Sequence, residues 1–184
     1  YNGPGNDEDW GRSIAVDDSG YVYVTGFSGG ASIGEEARDY LTIKYYPNGD
    51  TVWTRRYDGP GNNWDEARAV AVDDSGNVYV TGYAYSNESD WDYTTIKYYP
   101  NGDLAWVKRY WNELGTAVDQ PYVMTLDDFG CVYMTGWSRS WVTGPDWATI
   151  KYYPNGDTAW LRRFTEPGGN SFQVAHGIVV DDSN

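Results

Sequence analysis

The chain has 184 residues, with 13 Lys and Arg against 27 Asp and Glu, for a formal net charge of −14. That charge argues against nucleic acid and anionic membrane as partners, since both are held by Lys/Arg patches, and no apolar run approaches the ~18 residues that cross a bilayer. Cys131 is the single cysteine, which excludes an internal disulfide framework and leaves a small buried residue as the expectation.

In chain order, the first β-branched run is SIAV (Ser13–Val16), followed after DDSG by YVYVTG (Tyr21–Gly26). TIKYY follows from Thr42, then the turn PNGD, then TVWTRRY (Thr51–Tyr57). The same four runs return as AVAV (Ala69–Val72), NVYVTG (Asn77–Gly82), TIKYY from Thr95 and LAWVKRY (Leu104–Tyr110). They return again as VMTL (Val123–Leu126), CVYMTG (Cys131–Gly136), TIKYY from Thr149 and TAWLRRF (Thr158–Phe164). A fourth unit starts with GIVV (Gly177–Val180) and DDSN. TIKYYPNGD is identical in all three copies, and Thr42 to Thr95 is 53 residues while Thr95 to Thr149 is 54.

Each run is short, β-branched or aromatic, without helical periodicity, and bounded by turn residues, so each is expected as a strand. DDSG supplies Asp for local side-chain bonding and Gly for positive φ. In PNGD, Pro ends the third strand because it cannot donate to the ladder, and Asn-Gly is the pair favoured in tight hairpins. Four-stranded antiparallel units of about 50 residues predict an all-β fold of β-propeller blades. The expected blades are approximately 13–57, 69–110 and 123–164, with 177–184 the start of a fourth, all parts of one propeller.

VDDSGNVYVTG from Val72, the D-x-x-x-IKY-x-x-NG run from Asp39 and RYDGPG from Arg56 resemble the bacterial and archaeal "seven-bladed β-propeller" repeat family, the SBBP repeats. The resemblance runs through all three units, and the third departs most, with WNELGTAVDQPY (Trp111–Tyr122) where the first has YDGPGNNWDEAR. It implies a propeller fold and an extracellular or cell-surface, prokaryotic setting, and it implies no single activity. Three blades do not close a ring, which takes about four to eight. The expectation is therefore a segment of a longer propeller, with self-association through open blade edges as the alternative.

In an up-and-down meander every DDSG and PNGD turn falls on one face, and the variable loops fall on the other, where function usually resides. Those loops are rich in aromatic, amide and acidic residues, a composition that suits a glycan or another protein as partner. Tyr85, Trp91, Trp137, Trp141 and Trp147 are the candidate stacking residues. Asp9, Asp65 and Asp119 share one repeat position just before the innermost strand, where the fourth copy has Gln173. They predict either a ring of carboxylates for a polar ligand or cation, or three turn residues binding backbone N–H groups. Asn87-Glu88-Ser89 is a glycosylation sequon.

The Asp17-Asp18, Asp73-Asp74 and Asp127-Asp128 pairs raise Ca2+ as a ligand. No EF-hand spacing follows them, so no cofactor is expected and the pairs are read as turn formers. His176 is the single histidine, so no catalytic triad or two-histidine zinc site is picked out. The function expected is a non-catalytic extracellular module for binding, adhesion or surface architecture. The alternatives are a self-assembling subunit of a ring or filament, and a polysaccharide-acting enzyme with its site on the loop face.

Overall fold

The computed structural model describes residues 1–3, 7–29, 38–111, 118–140, 144–165 and 174–181. Among them are twelve strands and no helix. The strands are β1 (Asp9–Val16), β2 (Val22–Gly29), β3 (Arg38–Tyr45), β4 (Thr51–Tyr57), β5 (Glu66–Val72) and β6 (Val78–Ser86), then β7 (Asp90–Tyr98), β8 (Leu104–Tyr110), β9 (Asp119–Leu126), β10 (Val132–Ser140), β11 (Gly144–Tyr152) and β12 (Thr158–Phe164). They form three separate four-stranded antiparallel sheets, β1–β4, β5–β8 and β9–β12, each a simple meander. This is the blade architecture expected from the repeats.

Two boundaries differ from the sequence expectation. The second and third strands of each blade run on past the β-branched cores, through residues read as loop. Tyr85 pairs with Trp91 and Trp137 with Trp147 in the ladder. Backbone pairing continues there although polar residues interrupt the apolar run, because register needs only alternate side chains that fit. Conversely, Gly177–Val180 forms no strand, and Val179 is 92% exposed. The start of a fourth blade has no hydrogen-bonded neighbour among the described residues, so no ladder forms there.

The turns use the chemistry of their residues. Asp17 Oδ1 accepts the N–H groups of Ser19 (3.0 Å) and Tyr21 (2.9 Å), and its Oδ2 accepts the Tyr23 hydroxyl (2.8 Å). Asp73 and Asp127 repeat this set with Tyr79 and Tyr133. The first Asp of each DDSG or DDFG turn is therefore the turn anchor, and the second is exposed. Inside each blade a threonine pair, buried in the first two, joins strands two and three: Thr25 with Thr42, Thr81 with Thr95 and Thr135 with Thr149, at 2.9–3.1 Å.

Both apolar cores lie between blades. One joins Tyr23, Tyr40 and Trp53 to Val70, Val78, Val80, Ile96 and Tyr98 of the second sheet. The other joins Tyr79 and Tyr93 to Val132, Met134, Ile150 and Tyr152 of the third. Polar contacts fix the same interfaces. Trp53 Nε1 and Lys44 Nζ both donate to the Pro100 carbonyl (3.1 and 3.4 Å), while Arg55 Nε donates to the Gly102 carbonyl (2.6 Å). One blade on, Trp106 Nε1 and Lys97 Nζ donate to the Pro154 carbonyl (3.1 and 3.2 Å). The PNGD turn of each later blade is thus seated on the Trp and Lys of the blade before it. Gly102 and Gly156 combine positive φ with this seating: a Cβ on either would meet the facing indole at 3.0–3.1 Å.

Trp53→Ala should lower the stability of the chain by about 3–5 kcal/mol through lost burial. Trp53→Phe should cost about 1–3 kcal/mol, chiefly the indole donor to Pro100. Urea denaturation of the two variants beside the parent measures both.

Candidate ligand-binding face

The variable face is built from the strand extensions, the connections between blades and the first residues of the innermost strands. Asp65 sits just ahead of β5 and is fully buried. One of its oxygens accepts the Gly59 N–H and the other the Tyr85 N–H (2.8 Å). It therefore ties the 58–64 connection to the extended part of β6. Asp9 accepts the Gly3 N–H (2.7 Å), and Asp119, also fully buried, accepts the Ser138 hydroxyl. In each blade this repeat position anchors local structure, and the structure does not bring the three carboxylates into one cluster. Gln173 and Trp141 lie outside the described residues.

Asp65 has different carboxylate neighbours, which the sequence reading did not single out. Ligand oxygens of Asp39, Asp58 and Asp65 lie within 4.8 Å of one another. Asp39 is the acid of D-x-x-x-IKY, and its visible role is a cross-strand ion pair with Arg56 (2.7 Å). That pair recurs as Asp92–Arg109 and as Asp146–Arg163 (2.7 Å), joining strands three and four in every blade. Asp58 is exposed and belongs to the first interblade connection alone, since Trp111 and Thr165 stand at its place elsewhere. An all-oxygen set of this kind suits a hard cation, but Asp65 and Asp39 already have partners within the protein. Burial, with Asp58 and Asp39 close by, pushes the Asp65 carboxyl up to about 7 despite its two N–H donors.

The aromatic candidates separate by position. Tyr85 and Trp91 face each other across β6 and β7 with ring centres 5.5 Å apart, edge to face. They stand next to the hairpin tip, where Asn87 is exposed. Tyr85 is covered on one side by Gly61, whose N–H donates to the Tyr85 carbonyl (3.1 Å). Trp91 is half-buried, and its Nε1 has no hydrogen-bond partner within the protein. Trp137 and Trp147 pair across β10 and β11, and Trp147 stacks on Phe164 at 4.8 Å.

Arg12, Arg68, Tyr122 and His176 share one repeat position, which the sequence suggests is an ordinary loop-to-strand step and which the structure makes a second row. The ladder between the first two strands of each blade skips one residue, at Arg12, Arg68 and Tyr122. A bulge of this kind re-aims the extra side chain. It also presses the inner strand onto the glycine of each VTG or MTG: a Cβ on Gly26, Gly82 or Gly136 would come within 1.8–2.2 Å of a carbonyl oxygen. The bulged residues then line up from blade to blade. Buried Glu66 pairs with both Arg12 (2.6 Å) and Arg68 (3.1 Å) and accepts the Tyr83 hydroxyl (2.8 Å). The Arg68 guanidinium lies over the Tyr122 ring at 5.8 Å, and that ring meets His176 at 5.6 Å. His176, at the corresponding place of the fourth unit, thus continues the row although no strand follows it.

On the opposite face, clefts of about 260 and 420 Å³ lie between successive DDSG turns, lined by Asp17, Asp18, Asp73, Asp74, Asp127 and Asp128. The face read as scaffolding thus holds acidic concavities of its own. Cys131 lies beneath one of these turns, buried as expected, and burial together with Asp127 raises its thiol.

The elevated Asp65 carboxyl has a signed consequence. Its folded value near 7 exceeds the unfolded value of about 4, so between these pH values the folded state holds the extra proton and stability falls as pH rises. Asp65→Asn should flatten that part of the melting-temperature profile between about pH 4 and 7. It should also lower stability at every pH, because an amide cannot accept both N–H bonds. Thermal melts across the range check both outcomes.

A family model described as the SBBP beta-propeller repeat matches residues 3–34 and 52–88. No curated protein matches the chain. Among solved structures, a protein of unknown function from Bacteroides caccae is 12% identical over 86% of this chain and 47% of its own, with a TM-score of 0.48. A structure of the eukaryotic initiation factor is 10% identical over 86% of this chain and 33% of its own, with a TM-score of 0.50. The chain therefore spans about half and about a third of those two proteins, and the likeness to the second concerns the fold alone. The two matched stretches fall on the first and second repeat units, and the third four-stranded sheet carries the same landmarks.

Proposed function

We propose that the chain is a non-catalytic β-propeller module that works outside the cell, binding a glycan or a glycan-bearing surface through its variable face. The observation that carries this reading is the lengthening of the β6–β7 and β10–β11 hairpins. They set Tyr85 opposite Trp91 and Trp137 opposite Trp147 at the loop end of the blades. Aromatic side chains with a polar tip suit a wet, sugar-like ligand: the ring takes the C–H face, and the polar tip takes a hydroxyl. Half-buried Trp91, whose indole N–H has no partner in the protein, lies beside the exposed Asn87 and Glu88 of the hairpin tip. The net charge of −14 favours neutral sugars over acidic ones. Rigid blades with varied ends also match the division of labour between scaffold and site in repeat proteins.

A glycan array probed with the chain, followed by titration of the best-bound sugar, tests the proposal. Trp91→Ala should weaken that binding at least about tenfold, with the melting temperature little changed, and Trp91→Phe should retain most of it. Absence of any bound glycan, or release of shortened saccharides by the chain, would overturn the reading, the latter in favour of a polysaccharide-acting enzyme.

A further inference from the structure

Two arginines of the inner-strand row share a single acid. Arg12 Nε and Arg68 Nε lie 2.6 and 3.1 Å from the same oxygen of Glu66, and its other oxygen accepts the Tyr83 hydroxyl. Two positive charges therefore meet one negative charge at the junction of the first two blades. Other arginines have an acid to themselves: Arg38 has Glu8, Arg56 has Asp39, Arg109 has Asp92 and Arg163 has Asp146.

Hydrogen bonding at this triad is also incomplete. Glu66 Oε1 and Arg68 Nε are buried without a hydrogen-bond partner, so the contacts between them are contacts of charge. Apart from the Tyr83 hydroxyl beside Arg68, the Nη groups of the two arginines meet no acceptor among the described residues. The side chains of Arg12 and Arg68 keep 31% and 25% of their surface in solvent. Each guanidinium has five N–H donors in a planar fork, and most of them are unused by the protein.

Both forks are nonetheless held in place. Arg12 lies over the Trp10 and Phe27 rings at 4.9 and 5.7 Å, and Arg68 over the Tyr83 and Tyr122 rings at 5.3 and 5.8 Å. Aromatic neighbours of this kind attract the guanidinium without taking its N–H donors. The frame does not require the charges. At the next junction the same bulge forms with Gln120 and Tyr122 in the places of Glu66 and Arg68. The charged cluster is thus particular to one junction, on the face where the sequence varies.

We propose that Arg12 and Arg68 form a clamp for an oxyanion, the carboxylate or phosphate group of a ligand that reaches the inner-strand end of the variable face. The surplus guanidinium charge balances the anion, and the Nη groups supply the N–H···O bonds with which arginine holds both kinds of group. Glu66 keeps the two side chains together through Nε, which leaves the Nη groups to the ligand. The net charge of −14 repels anions in general, so the clamp should favour groups that bond to both arginines over diffuse counter-ions. The inference does not rest on the glycan reading.

Sodium phosphate and sodium glucuronate, each titrated at constant ionic strength, test it, with the arginine Nε–H resonances as the readout and glucose as the neutral control. Saturable shifts of the Arg12 and Arg68 signals by either anion, and none by glucose, are expected. The tighter anion identifies the group held. Arg68→Gln should weaken that binding at least about tenfold, and Arg12→Gln should do the same. Arg68→Lys keeps the charge and loses the fork, so it should keep the melting temperature of the parent and still bind several-fold more weakly. Arg162→Gln removes the same charge from an exposed position on the third blade and should leave the affinity unchanged. No saturation by either anion up to about 50 mM, parental affinity in Arg68→Lys, or equal losses in Arg162→Gln and Arg68→Gln would overturn the proposal.

Discussion

An indole N–H and a lysine ammonium converging on one proline carbonyl hold this structure in register. A single blade is two-sided and thin, and its apolar residues are covered only by a neighbour. Burial is non-directional and would accept many slippages of one blade over the next. The carbonyl of Pro100 or Pro154 accepts two donors at a fixed place, and the adjoining glycine admits the indole plane. Directional bonds thereby choose one arrangement among the many that the hydrophobic effect would tolerate. The nonapeptide turns of the second and third blades thus meet two demands at once: each ends its own hairpin and fits the blade before it.

At the other end of each blade a different constraint operates. The skipped residue at Arg12, Arg68 and Tyr122 lets the inner strand bend and aims its side chain along the row of inner strands. The glycine after each VT or MT is the condition for that bend, as the carbonyl it faces leaves no room for a side chain. Glu66 then joins two arginines from adjacent blades, an ion triad whose members differ at the next junction, where Gln120 and Tyr122 stand instead. A shared backbone device thus carries unshared chemistry, and this is how a repeat protein varies its surface without altering its frame.

Much of the fold was legible because the repeats display their own punctuation. DDSG and PNGD turn chemistry, and the β-branched runs between them, located every strand that the structure shows. The ends of the second and third strands were not legible, since Tyr83–Ser86 and Asp90–Tyr93 mix polar and aromatic residues as a loop would. Gly177–Val180, read as the first strand of a fourth blade, has residues that suit a strand, but a ladder forms only with a partner. Of the candidate site, the pairing of Tyr85 with Trp91 depends on a register that local pattern does not encode. The gathering of Asp39, Asp58 and Asp65 joins residues from three separate stretches, and only the packing of one blade on the next brings them close.

The sequence by itself determined the blade unit, its turns, its antiparallel order and which positions recur, because these follow from local backbone preference and side-chain period. Tertiary structure decided what the recurring residues do. Asp65 and Asp119 became buried anchors, Asp39 became half of a cross-strand ion pair, and Trp53 and Lys44 became the seat of the next blade. Apart from the Asp65–Gly59 bond, those roles arise from contacts between residues 17 to 56 positions apart. Such contacts are set by how sheets stack on one another, and no short stretch of sequence carries that information.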